Sequence, residues 1–210
     1  YTSPHLVDLR ERIRLDGEPV GGGEFARALG ALEAPMRRLK PTFFEIMTAA
    51  AFWIFARRRV DWAVVEVGLG GRLDATNVIR PAACAITTIG YDHMDKLGNT
   101  LTKIALEKAG ILKPGVPAVS SPQPPEARRV LEAFPGLDFP GFQILRRRKG
   151  VVHFRTMQAG TCRLAVRGAH QAANAATALA LVERGGLRLT AAARRRGLRS
   201  ARLPGRVELV

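Results

Sequence analysis

The chain has 210 residues, 47% of them hydrophobic, and a formal net charge of +15. That is enough apolar material for one large core, or a core with a small satellite. No run of about eighteen apolar residues occurs, which excludes a helical membrane span, and the opening YTSPHLVDLR has neither the basic nor the apolar stretch of a signal peptide.

In chain order, GGGEFARAL (21–29) reads as a loop entering a short helix, and FFEIMTAAAFWIFARR (43–58) as a helix. Arg57 to Arg59 close that helix at the end where cations suit its dipole. DWAVVEV (61–67) is a continuous apolar run, predicted to be a strand buried on both faces of a parallel sheet, and AACAITTI (82–89) is a second. TLTKIALEKAGIL (100–112) predicts a helix ending near Gly110, VPAVS (116–120) a third strand, and PPEARRVLEAF (124–134) another helix. Strand, crossover and strand in this rhythm imply a right-handed parallel α/β sheet flanked by helices.

After about Gly141 the texture changes. GVVHFR (150–155) and TCRLAV (161–166) predict a β-pair, a small β-rich extension of the sheet domain. HQAANAATALALVERGG (170–186) is an alanine-rich helix closed by glycines, TAAARRRGL (190–198) a shorter one, and the chain stops at RVELV as if in mid-strand. The expected organisation is one domain over residues 1–210, with an α/β core (1–140), a β-rich segment (141–168), and a helix and final strand (169–210). The missing initiator Met and the mid-strand stop read as a piece of a longer protein.

The charge is unevenly placed. Residues 1–140 hold 18 Lys and Arg against 16 Asp and Glu, and residues 141–210 hold 15 against 2. Such a half could bind polyanions. No aromatic residues interleave RRRKG (146–150) or RRRG (194–197), so there is no stacking platform for bases. A solvated arginine surface is therefore favoured over nucleic acid; acid carried elsewhere in a longer protein is a third account. Cys84 and Cys162 lie far apart without metal-type spacing, which suits a reducing cytoplasm.

The stretch VVEVGLGGRLDATN (64–77) places Glu66 in an apolar run and then breaks into glycines. The dinucleotide fingerprint fails, because Gly68 and Gly70 fit its first positions but Leu73 stands at the sixth. No phosphate-loop Gly-Lys-Ser or Gly-Lys-Thr triplet occurs. In open parallel sheets, ligands sit outside the carboxyl ends of the strands. Glu66 is at such an end, Asp92 and His93 follow the next strand, and Lys108 lies on the helix after it. Singly, Glu66 reads as a structural carboxylate and His93 as a loop histidine. With the glycine turn beside them, they read together as a site.

Those residues lie in motifs that resemble the folylpolyglutamate synthase and dihydrofolate synthase family, the folate branch of the Mur ligases. The motifs are TSPHLVDLRERI (2–13), PTFFEIMTAAAF (41–52), DWAVVEVGLGGRLDATNV (61–78), TTIGYDHMDKLGNTLTKIALEKAGILKPGVP (87–117), HQAANAATALAL (170–181) and LPGRVELV (203–210), in the family's order. The resemblance implies a Mur-ligase-type central ATP-binding domain. The implied enzyme is an ATP-dependent ligase that phosphorylates a folate carboxylate and lets the amine of L-glutamate attack the acyl phosphate.

By the same resemblance, Ser3, Glu66 and His93 serve magnesium, and Lys108, typically carbamylated, adds a carboxylate beside it. Hard-cation chemistry prefers oxygen, so His93 is the unusual member. Thr42, Phe44 and Asp74 match the pocket for dihydropteroate or reduced folates, with Asp74 bonding the pterin ring and Phe44 contributing a ring contact. Phe44 reads nearly as well as a plain core aromatic. Asn174 and Arg206 match ATP contacts, and His170 lies in the same motif. A cytoplasmic monomer is expected. The family's phosphate loop, before TSPHL, and its C-terminal domain, after LPGR, are not in this sequence, so the chain alone is expected to be inactive. The alternatives are another Mur-type amino-acid ligase, or a basic nucleic-acid-binding module on residues 141–210.

Overall fold

The computed structural model describes residues 1–148, 150–166 and 168–201, in two units that divide after Ile79. In the first unit, local hydrogen bonds start each element. Asp8 caps a 3-10 turn, Leu9–Arg12, and Glu11 reaches back to the cap backbone. A short antiparallel pair follows, β1 (Arg14–Leu15) and β2 (Glu18–Pro19), turning through Asp16 and Gly17 at φ of 52° and 92°. Two successive left-handed residues match the twist of tight hairpins.

Helix α1 runs Gly22–Leu39, twice the length that 21–29 suggests. Glycines at its start and Pro35 inside it hide its period in the sequence. Helix α2 (Phe43–Arg58) begins with a capping box, Thr42 bonding the Glu45 N–H while the Glu45 side chain returns to the Thr42 backbone. Its buried residues Met47, Ala50, Ala51, Ile54 and Phe55 recur at helical spacing and join Ile13, Val20 and Ala28 in one core. Burying a side chain such as Ile54 contributes about 1.5–3 kcal/mol.

The run 61–67 is extended, yet it is not a strand of the described sheets, and Trp62, Ala63, Val64 and Glu66 are exposed. This corrects the expectation of a strand buried on both faces. Apolar β-branched residues favour extended backbone, but a strand exists only through its neighbours. Here the backbone bonds run to Tyr1, whose backbone nitrogen donates to the Val64 carbonyl (2.8 Å) and whose carbonyl accepts from Glu66 N–H (2.9 Å).

In the second unit, β3 (Cys84–Ile86), α3 (Met94–Leu97), α4 (Leu101–Ala109), β4 (Ala118–Ser120), α5 (Pro125–Glu132) and β5 (Leu137–Asp138) form a parallel sheet with crossover helices. The strand order is β3-β4-β5, with Cys84 opposite Ala118 and Ala118 opposite Leu137. Three antiparallel strands follow: β6 (Phe142–Arg148), β7 (Val151–Thr156) and β8 (Gly160–Leu164). Their inner face, with Val152, Phe154, Cys162 and Leu164, packs on Ala172, Ala175 and Ala176 of α6 (Ala169–Arg184). Helix α7 spans Ala191–Ser200. The class is therefore α/β, a parallel sheet flanked by helices with a separate antiparallel extension. Strand β6 has no signal in the sequence, because a bulge between Ile144 and Arg146 breaks its alternation. Cys84 and Cys162 are buried and unbridged, and burial raises both thiols above their ordinary pKa. No described helix is long and apolar enough to cross a membrane.

Candidate functional site

Five of the candidate residues lie in the first unit: Ser3, Thr42, Phe44, Glu66 and Asp74. Ser3 and Glu66, 63 positions apart, meet directly: the Ser3 N–H donates to Glu66 Oε2 at 2.9 Å. The flanking bonds between Tyr1 and residues 64–66 hold both segments in register.

Beyond Glu66 the chain folds back over Asp74, a buried carboxylate that accepts four hydrogen bonds. Oδ2 takes the N–H groups of Gly68 (3.0 Å) and Leu69 (2.9 Å), and Oδ1 takes the N–H and hydroxyl of Thr76. Four donors fill the lone pairs that a carboxylate presents. Asp74 also caps the 3-10 turn Ala75–Val78. One side chain thus sets the shape of the loop that follows the Glu66 segment.

Gly68 is fixed by a close approach. A Cβ there would lie 2.4 Å from Cζ of Phe44. The Phe44 ring, half-buried, fills the space above the glycine and tilts against Tyr1 at 5.8 Å between centroids. Thr42 is the α2 cap, and its hydroxyl donates to Glu45 Oε2 at 2.7 Å. The Thr42 hydroxyl, then its N–H, holds the Glu45 carboxyl below the usual range. These residues form a loop surface on which Glu66 stays exposed.

The second unit holds the rest. His93 caps α3 in the left-handed region, at φ of 48°, and its N–H donates to Asp92 Oδ1 at 2.9 Å. Lys108 lies half-buried in the last turn of α4. Asn174 is exposed on α6, its amide donating to Gln171 Oε1 at 3.1 Å, and Gln171 is bonded to the exposed His170. Arg206 lies outside the described residues, as does the final strand expected there. Ser3, Glu66, Thr42, Phe44 and Asp74 therefore occupy one short region of the first unit, whereas His93, Lys108 and Asn174 sit on three separate elements of the second.

Sequence reasoning missed Gln123. Just past the carboxyl end of β4, it accepts from Ile89 N–H (2.8 Å) and donates to the Thr87 carbonyl (2.9 Å) and Ser120 Oγ (3.0 Å). It thereby ties the loops that leave β3 and β4, the edge where ligands bind in such sheets. Ser121 bonds Thr177 of α6 at 2.8 Å in the same buried polar cluster. The SSPQ run (120–123) after an apolar strand was the available signal.

Among the described residues, no group of three or more His, Cys, Asp and Glu is placed to hold a metal ion. The residues that do meet are Glu66, whose carboxylate offers oxygen, and Ser3, which touches it through its backbone N–H and carries a hydroxyl. Magnesium uses one or two carboxylates and otherwise keeps waters and substrate phosphates, so this donor set fits that ion and suits a thiophilic metal poorly.

No protein-family model matches the chain. It is 36% identical to the dihydrofolate synthase/folylpolyglutamate synthase of Bacillus subtilis, over all of this chain and 54% of the relative. The crystal structure of a folylpolyglutamate synthase from Thermotoga maritima superposes with a TM-score of 0.90 at 35% identity, covering 100% of this chain and 52% of that one. E. coli FolC in complex with DHPP and ADP gives 0.87 at 33% identity, covering 100% and 51%. The chain spans about half the length of each of these relatives. In sequence and in fold, it is similar over its whole length to folylpolyglutamate and dihydrofolate synthases.

Proposed function

We propose that the protein joins L-glutamate to the carboxylate of a folate, either dihydropteroate or a reduced folate, at the expense of ATP. The observation that carries this reading is the Ser3–Glu66 contact beside the Asp74-ordered glycine loop, an oxygen-donor site built from the family's own motifs. The solved FolC complex with ADP and DHPP supports nucleotide and pteroate as ligands. A cytoplasmic monomer that uses magnesium completes the proposal.

Each residue then has a task. Ser3 and Glu66 in the first unit are assigned to magnesium, and in the second unit His93 and a carbamylated Lys108 are separately assigned to metal binding. When bound, the ion supplies charge neutralisation for phosphoryl transfer. Glu66 is oriented beforehand by the Ser3 N–H, so little reorganisation is needed as charge develops. Asp74 is assigned the shaping of the loop, because its four internal bonds leave little capacity for a pterin. Phe44 is assigned a ring contact in the pteroate pocket, and Thr42 fixes the start of the helix that carries it. Asn174 and Arg206 are assigned to ATP. The glutamate amine attacks the activated acyl carbon, phosphate leaves, and one amide forms.

The test is ADP release by the protein containing these residues, with magnesium, ATP, glutamate and dihydropteroate or tetrahydrofolate. Release that depends on both glutamate and a pteroate is expected. Turnover with a muramoyl-peptide precursor but with neither pteroate would replace the reading with another Mur-type ligase.

A further inference from the structure

The surplus of arginine after residue 140 reads from sequence as diffuse, but the β6–β7–β8 sheet concentrates part of it on one face. Val152, Phe154, Cys162 and Leu164 point inward onto α6, so the alternate residues point out. Cross-strand register sets Arg146, His153 and Arg163 in one row and Gln143, Arg155 and Thr161 in the next. Arg146, Arg155 and Arg163 are exposed, and no Asp or Glu occurs in any of the three strands. Neighbouring strands lie about 4.8 Å apart and alternate residues along a strand about 6.8 Å, so the cations form a grid roughly 10 Å wide.

We propose that this outer face docks the phosphate backbone of duplex nucleic acid. The partner's chemistry follows from what the face has and lacks. Guanidinium forks match phosphate oxygens bidentately. Specific protein interfaces carry an apolar or aromatic centre, whereas Leu145 at the β6 bulge is the one exposed large apolar side chain among the described residues of these strands, and His153 the one ring beside the arginines. Single strands bind through bases stacked on aromatic rings, again absent here. A duplex offers dense charge without demanding either, one phosphate per about 1.7 Å of axis. Recognition would be independent of base sequence, because nothing on the face is placed to read base edges. The proposal uses none of the candidate ligase residues and stands apart from that reading.

The test is fluorescence anisotropy of a labelled duplex DNA of about 20 base pairs, titrated with the chain across a salt series. Three phosphate contacts give a log–log slope of about −3, or roughly a fifty-fold loss of affinity between about 50 and about 200 mM salt. The triple variant Arg146→Gln/Arg155→Gln/Arg163→Gln should remove most of the binding and flatten the slope. An equal charge loss elsewhere, Arg27→Gln/Arg38→Gln/Arg129→Gln, should change affinity no more than a few-fold, with circular dichroism showing both variants folded. Three results would overturn the proposal: no wild-type binding at low salt, equal losses in the two triple variants, or binding to phosphatidylglycerol vesicles without binding to the duplex.

Discussion

The two units treat their candidate residues differently. In the first, Ser3, Glu66, Gly68 and Asp74 are tied by hydrogen bonds into one loop system that has almost no regular secondary structure. In the second, His93, Lys108 and Asn174 stand at the ends or surfaces of regular elements, and their positions are set by the sheet and helices beneath. The first arrangement orients a carboxylate through specific bonds, so each bond is a point of failure. The second depends on a packed scaffold and tolerates changes at the residue itself. Preorganised geometry in the loop and replaceable side chains on the scaffold make opposite demands on mutation.

The largest expected effect tests the loop. Asp74→Ala strands four donors, two of them on the glycine loop, and leaving a buried donor unpaired costs about 1–3 kcal/mol. The first unit should therefore lose about 3–5 kcal/mol in denaturant unfolding. Amide exchange should rise first at Gly68, Leu69 and Thr76. A loss under about 1 kcal/mol would remove Asp74 as the organiser of the loop.

Next is Gly68→Ala, whose Cβ would overlap the Phe44 ring. Overpacking of this kind costs about 1–3 kcal/mol. The smaller Phe44→Leu should recover part of it, and a double-mutant cycle that shows no coupling would contradict the contact.

The scaffold side is tested by Ser121→Ala, which breaks the buried bond to Thr177. A cost of about 1 kcal/mol is expected, since Thr177 keeps its bond to the Ala173 carbonyl. His93→Ala should move thermal stability by less than about 0.5 kcal/mol, because the side chain is largely solvent-exposed. A large loss there would mean the second unit is not the tolerant partner described.

The smallest effect is on pH. The Arg10 side chain holds the Asp8 carboxyl down at about 2, from an ordinary 3.8. Glu11, Glu24 and Glu45 are lowered too, by backbone N–H groups, by Arg58 and by Thr42 respectively. Depressed carboxylates stabilise the fold above their unfolded pKa and lose that contribution as pH falls through the folded value. Stability of the first unit should therefore slip as pH drops from about 4 towards 2, weakly and less so in high salt, because Glu45 is exposed and Asp8 and Glu11 are partly so. Stability rising over that window would reverse the sign.

Parts of this were legible in the sequence. Helix α2 was legible from its composition and length, with Arg57 to Arg59 at its C-terminal end, a signal wholly local to the segment. The ends of α4 and α6 fell at Gly110 and Gly185, as the glycines indicated. What failed needed partners distant in the chain. The run 61–67 has strand composition, but its exposure depends on what lies beside it. Strand β6 exists because Phe142 and Ile144 meet Thr156 and Phe154, while its RRR tail has no period to read. Within the site, Glu66 and Asp74 could be singled out by their residue type. The Ser3 contact spans 63 positions, and the four donors on Asp74 come from a loop shape that composition does not encode.

The central claim is that Glu66 is a preoriented ligand for ATP-dependent ligation rather than a structural carboxylate. The direct measurement is the rate of pteroate- and glutamate-dependent ADP release by Glu66→Gln in the protein containing these residues. Gln keeps a carbonyl oxygen for the Ser3 N–H, so thermal stability should stay within about 0.5 kcal/mol of wild type. Turnover should fall by at least about a hundredfold, and raised magnesium should restore part of it. A rate within a few-fold of wild type, with stability unchanged, would contradict the account.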